Sequence, residues 1–243
     1  MLGLGNSITS GYPHFTLTDV SDLSLWLQND VGFTISTGLV TKWEDQSGND
    51  NHASQDPSSG FAGVKSGGGI DFEENDVTHY DLASAITIAE NQGFCLAIVL
   101  NQETDTNNTI LSKDSNDVIQ ISGSEIKIIT NDDTFTTTTA AFDETPFAAS
   151  SGKMLITINR TAGASNVFTF HKNGTRLTPN ATPSSGEATG ENPFGFDLNV
   201  IGSRPNTAEN FDGIIHELAF WSKGLSGTEI ADVNSYLQGI HGL

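Results

Sequence analysis

Thirteen residues, Trp43 to Gln55 (WEDQSGNDNHASQ), hold three carboxylates, two asparagines and a histidine behind one tryptophan. Two chemistries suit that set. A hard cation such as Ca²⁺ takes roughly six to eight oxygens from carboxylates, amide carbonyls and backbone, and Asp45, Asn49 and Asp50 offer them. The same residue types also close tight turns with no ligand. Asp and Ser side chains accept from nearby backbone N–H groups, and Gly48 supplies a left-handed residue at no steric cost. No EF-hand spacing is present, so turn and cation site stand as alternatives.

Other reactive patterns are thin. Retaining glycoside hydrolysis needs two carboxyls about 5–5.5 Å apart, and the nearest candidate is DFEEND, where Asp71 and Glu73 alternate with Phe72. Their order does not match a catalytic strand pair and the run enters a turn, so a solvated turn is expected. The six histidines form no H-x-x-x-H or H-E-x-x-H set; His216, alternating with Ile215 and Glu217, is expected to face solvent. There is no G-x-S-x-G elbow and no phosphate-binding loop. Cys95, the one cysteine, sits in the apolar run FCLAIVL and reads as a small core hydrophobe. Trp26, Trp43 and Trp221 fall in or beside apolar strands and are assigned to the core. Tyr80, in THYDL, is the freer aromatic candidate for ligand contact.

The elements that must position these residues are mostly strands. LSLWL (23–27), the start of GLVTKWEDQ, both ends of GGGIDFEENDVTHYDL and the apolar GFCLAIVLNQ (93–102) read as strands, the last as a buried central one. VIQIS and EIKIIT alternate across Gly-Ser and predict a hairpin. Asn173-Gly174 between VFTFH and TRL predicts a two-residue type I′ turn. Near the end, LNVIGS and GIIHELAFWS are strands, and Ser226 with Glu229 forms a capping box. Ile230, Val233, Leu237 and Ile240 then line one helical face, with Gly239 expected as the residue just past its end. Strands with one terminal helix describe an all-β antiparallel sandwich, in which the first and last strands can be neighbours.

Composition narrows the partners. The chain has 243 residues, 36% of them hydrophobic, enough for one core and one domain. Residues 1–20, rich in Gly, Ser and Thr, read as an arm that docks on a partner, and 21–243 as the domain. Thirty acidic against ten basic residues give a net charge of −20. That disfavours nucleic acid, whose phosphates need Lys and Arg, and an anionic membrane surface for the same reason. The acidity fits solubility in salt or divalent-cation binding. MLGLGNSITSGYPHF lacks a basic, then apolar, leader pattern and is not expected to be a secretory signal, and no stretch reaches the ~20 apolar residues of a membrane span.

The order of motifs resembles the concanavalin A-like lectin/glucanase superfamily, in its laminin G-like, pentraxin-related branch. VTKWEDQSGNDNHASQ resembles its W-x-D-x-S-G-N-x-N-x-A segment, and GGIDFEENDVTHYDL its G-hydrophobic-x-F-x-x-x-D strand and turn. KMLITINR through VFTFHKNGTRL, NVIGSR, and FDGIIHELAFWSKGLSGTEIADVNSYL resemble the central strand and hairpin, the Ile-Gly strand, and the ending. The likeness runs from about residue 23 to 243 and implies a jelly roll of two antiparallel sheets. It implies that Trp43 points between the sheets while Asp45 and Ser47 bond their own turn. Relatives of this fold bind Ca²⁺ near a strand beginning Asp-Gly, which adds Asp212 to Asp45, Asn49 and Asp50 as a ligand set; no other cofactor is implied. The short glycine-rich lead resembles those of tailed-bacteriophage virion proteins. The expected function is a non-enzymatic structural or binding module of a virion, as capsid decoration or tail adhesion. Its expected partners are other virion proteins or further copies through the arm, and cell-surface glycans. A lectin-like protein outside a virion, extracellular, is the alternative, and a glycoside hydrolase the remaining one.

Overall fold

The computed structural model describes residues 15–55, 61–105, 108–113, 117–132, 134–142, 145–149, 152–163, 167–180, 195–205 and 209–243. Among the described residues, seventeen strands and one helix follow a short 3₁₀ turn at Leu17–Asp19. The strands are β1 (Leu23–Leu27), β2 (Phe33–Ser36), β3 (Leu39–Trp43), β4 (Ala53–Ser54), β5 (Val64–Ser66), β6 (Gly69–Phe72), β7 (Tyr80–Ile88), β8 (Phe94–Gln102) and β9 (Asn108–Ser112). They continue as β10 (Val118–Ile121), β11 (Glu125–Asp132), β12 (Thr134–Ala141), β13 (Met154–Arg160), β14 (Phe168–Lys172), β15 (Thr175–Leu177), β16 (Phe196–Ile201) and β17 (Gly213–Trp221), before α1 (Gly227–His241).

All pairings are antiparallel, and they make two layers. The front layer runs β15–β14–β13–β8–β17, with β6 beside the first half of β17 and β1 beside its second half. The back layer runs β2–β3–β4–β7–β16–β9–β10–β11–β12. The β5–β6 hairpin carries the pairing from one layer to the other. The expected all-β jelly-roll sandwich with a C-terminal helix is therefore the fold, and its first and last strands do pair.

β8 explains the apolar run read as a central strand. Phe94, Leu96, Ile98 and Leu100 face the core between the layers. Cys95, Ala97 and Val99 face a second core, roofed by Ile230, Val233 and Leu237 of α1. Both faces of β8 are dry, so alternation disappears, as strands buried on both sides require. Burial also pushes the Cys95 thiol well above its ordinary pKa. Phe94 stacks on Phe220 in the inner core, with ring centroids 5.6 Å apart.

Several local expectations hold and some shift. Asn173 and Gly174 both take positive φ, 46° and 73°, between β14 and β15. Ser226 and Glu229 form the reciprocal capping box of α1. The helix ends one turn later than expected: Gly242, not Gly239, is the left-handed cap at φ 68°. Ile240 is 53% exposed, while Tyr236 packs against the second core beside Phe15 and Trp26. Leu17 and Val20, within the stretch assigned to an arm, are buried in that same core; residues 1–14 of the arm lie outside the described residues. No helix among the described residues is long and apolar enough to cross a membrane.

Candidate functional site

The Trp43–Gln55 segment begins at the end of β3 and returns as β4. Trp43 points into the inner core at 1% exposure, donating its indole N–H to Gln28 O at 3.0 Å. Two residues on, the Asp45 carboxylate is buried and takes four donors. Its Oδ1 accepts from Trp26 N and Ser47 N, both at 2.9 Å, and its Oδ2 from Ser47 Oγ at 2.8 Å and Asn51 N at 3.0 Å. The Asp45 N–H donates to His52 Nδ1 at 3.1 Å. Gly48 and Asp50 turn the chain at φ 92° and 55°. Asn49 fastens the turn to β1 through Nδ2 to Leu23 O at 2.7 Å, and Asn51 Oδ1 accepts from Ser84 N at 2.8 Å. This is the turn chemistry implied for Asp45 and Ser47. A cation at Asp45 would have to displace donors that already occupy both carboxylate oxygens.

The proposed ligand set does not converge. Asp45 and Asn49 are joined through Ser47, and Asp50 is exposed on the same turn. Asp212, however, precedes β17, whereas the Asp45 carboxylate bonds Trp26, which pairs with Ala219. Seven residues of strand separate the two, about 20 Å at ~3.3 Å per residue. Among the described residues no three His, Cys, Asp or Glu side chains form a metal-holding group.

Asp212 instead joins a separate acidic cluster with Asp71, Glu73 and Glu103. Burial raises the pKa of all three above the ordinary carboxylate range, and neighbouring charges add to it: Glu73 and Asp212 for Asp71, chiefly Asp212 and Glu103 for Glu73, Asp71 and Asp212 for Glu103. Asp71 Oδ1 is buried with no hydrogen-bond partner among the described residues. Asp212 Oδ1 accepts a 3.3 Å bond from Glu74 N, in the turn after β6.

Tyr80 is fully buried, a correction to its reading as a free aromatic. Its ring packs edge-on to Phe72, and its hydroxyl donates to Val40 O at 2.8 Å and accepts from Gly63 N at 2.9 Å. Burial holds its pKa above the usual phenol range. His216 is also buried, at 4% exposure, with Nδ1 3.0 Å from Gly67 O. Its pKa falls to about 4, through burial first and the nearby Lys153 charge second. One strand residue on, Glu217 holds the indole N–H of Trp26 on Oε1 and His241 Nε2 on Oε2, each at 2.7 Å; Glu217 and His241 side chains are 1% exposed. That pair clamps the last turn of α1 to the front layer. Trp26 and Trp221 are core residues as expected, at 7% and 0% exposure.

An open hollow of about 370 Å³ lies at the margin between the layers, where the turn meets β7. Asn49 and Asn51 form one wall, Asp22, Leu23, Ser24 and Ser222 a second, and Ser84 to Thr87 a third. Ser24 Oγ and Ser222 Oγ are 2.5 Å apart, tying β1 to the residue after β17. β7 bulges here: its register with β16 slips between Leu198 and Val200, which leaves Ala83, Ser84 and Ala85 all exposed. Sequence reasoning found Asn49 as a candidate but missed Asn51, Ser84 and Thr87. Three small residues in succession, Ala83-Ser84-Ala85, after the alternating YDL were the available sign of the bulge.

No family model matches the chain, and no curated protein matches it. Solved structures share the fold. The binding domain of Paraclostridial Mosquitocidal Protein 1 superposes with a TM-score of 0.59 at 13% identity, over 91% of this chain and 53% of that one. Domain 4 of AbnA, an extracellular arabinanase of Geobacillus stearothermophilus, in complex with arabinotriose, gives 0.52 at 13% identity, over 88% and 98%. The Trypanosoma rangeli sialidase gives 0.50 at 11% identity, over 91% and 34%. The chain thus spans about half of the toxin domain and a third of the sialidase, and nearly all of the arabinanase domain.

Proposed function

We propose that this sandwich is a non-enzymatic carbohydrate-binding module, carried on a virus particle, and that the marginal hollow beside the Asp45 turn is its binding site. The hollow is the observation that carries the reading. Its walls include Asn, Ser and Thr groups, which both donate and accept as sugar hydroxyls do, and Asp45 fixes the turn that places Asn49 and Asn51 in one wall. The arabinanase domain of the same fold, seen with arabinotriose, supports a saccharide ligand. The acidic cluster supports the non-enzymatic part of the proposal by its location. Asp212 precedes β17 and Ser222 follows it, so the carboxylates stand a whole nine-residue strand away from the hollow, about 30 Å at ~3.3 Å per residue. A glycan array probed with and without Ca²⁺ tests the binding: signals above background are expected, and none in either condition would count against the module. Mass spectrometry of purified particles from the source tests the carrier, with this chain expected among the virion proteins.

A further inference from the structure

A second hollow, of about 270 Å³, is lined by Thr87, Ile88, Glu90, Lys113, Asp117 and Asp197 among others. Thr87 lines both hollows, so they meet across a single residue of β7. The ladder geometry also turns the backbone of Thr87 toward the first hollow. Thr87 faces Asp197 of β16, and Asp197 sends its N–H to Asp117 Oδ2 at 3.2 Å. That makes Thr87–Asp197 a pair without mutual backbone bonds, whose N–H and C=O point to the opposite edges. Before the bulge, Ala83 N–H donates to His52 O at 3.0 Å, across the edge that faces β4. β4 begins at Ala53, level with Leu82, and the chain before it reaches only to Asn51 beside Ser84, so among the described residues no strand covers this edge at Ala85–Thr87.

Charge and aromatic content narrow what fits. All ten Lys and Arg lie among the described residues, and none lines the first hollow. The one cation on the second, Lys113, holds Asp197 at 2.7 Å. Asp22, Glu90, Asp117 and Asp197 border the two hollows, so the local potential repels anions. The first hollow has no aromatic ring, and Phe196 on the second is 5% exposed, so ring stacking contributes little.

We propose that the two hollows form one track for an uncharged linear oligosaccharide of at least two units, read by hydrogen bonds from Asn49, Asn51, Ser84 and the open edge at Thr87. This rests on the carbohydrate-binding reading above and adds a ligand class to it: sialylated and uronate-containing glycans are rejected. Isothermal titration of the intact chain tests it with arabinotriose, cellotriose and maltotriose against 3′-sialyllactose and trigalacturonate. At least one neutral trisaccharide is expected to bind 10-fold or more tightly than its own monosaccharide and than either acidic probe. Ala85→Trp and Ser84→Trp, each placing a large ring in the first hollow, are expected to abolish that binding with folding intact by circular dichroism, while Ser235→Trp on the exposed face of α1 leaves it unchanged. Tighter binding of an acidic probe would overturn the ligand class and leave carbohydrate binding standing. Neutral binding that survives both hollow-filling variants in folded protein would overturn the track. Loss of all binding in both panels would overturn the module itself.

Discussion

Two acidic regions of this molecule are built from the same residue types and behave in opposite ways. At the Trp43–Gln55 turn, one carboxylate is buried and takes four hydrogen bonds from the chain around it. At the far end of β17, Asp71, Glu73, Glu103 and Asp212 crowd together, and Asp71 keeps a buried oxygen without a partner. The first region spends its charge on architecture; the second stores like-charge repulsion. Composition alone does not separate the two. What separates them is whether backbone N–H groups have been aimed at the carboxylate.

Substitutions can break that contrast, beginning with the largest effect. Asp45→Ala leaves the N–H groups of Trp26, Ser47 and Asn51 without their acceptor in a buried setting, and is expected to cost about 3–5 kcal/mol in urea unfolding, since each buried orphan donor costs about 1–3 kcal/mol. Gly48→Ala meets no neighbouring atom but must hold φ 92°, so about 1 kcal/mol is expected from backbone strain alone. Glu73→Gln should act in the other direction. It removes one exposed like charge and is expected to raise stability by a few tenths of a kcal/mol, up to about 0.5, with the gain shrinking in high salt.

A pH titration sharpens the comparison further. Asp71, Glu73 and Glu103 have folded pKa values raised above their unfolded ones, so the folded state holds their protons more tightly. Their contribution is fully favourable below the unfolded carboxylate range and is lost as pH rises through the folded values. His216 runs the other way. Its folded value is lowered from 6.5 to about 4, so its contribution is present above pH 6.5 and is lost as pH falls toward 4. Carbon-detected NMR should show the cluster carboxyls titrating above ordinary Asp and Glu. Thermal melts of His216→Asn should lose less stability than wild type between pH 6.5 and 4.

Much of the fold was legible because local chemistry and tertiary packing agree. LSLWL became β1 residue for residue, Asn173-Gly174 made its hairpin, and Ser226 and Glu229 capped α1. The turn at Asp45 was legible for the same reason, since its bonds run mainly to near neighbours. The misreadings involve long-range burial. Tyr80 and His216 lie in strands with polar neighbours, yet their partners Val40, Gly63 and Gly67 come from strands and turns paired only in the folded sheet. The helix end was missed because Gly239 and Gly242 are alike in sequence, and the anchor that extends α1, Glu217, lies 24 residues upstream of His241. The marginal hollow was hidden because it depends on a bulge in β7 and on the short length of β4.

β17 lies between β8 and the β6 and β1 edge of the front layer. Until residue 221 has left the ribosome, one edge of the two-faced apolar β8 has no neighbour, and the inner core lacks Ile215, Leu218 and Phe220. Closure of the sandwich must then follow synthesis of nearly the whole chain rather than accompany it, a long-range pairing that slows folding and exposes β8 to misassociation. Products truncated before Gly213 should be recovered as aggregate, not as a smaller folded domain.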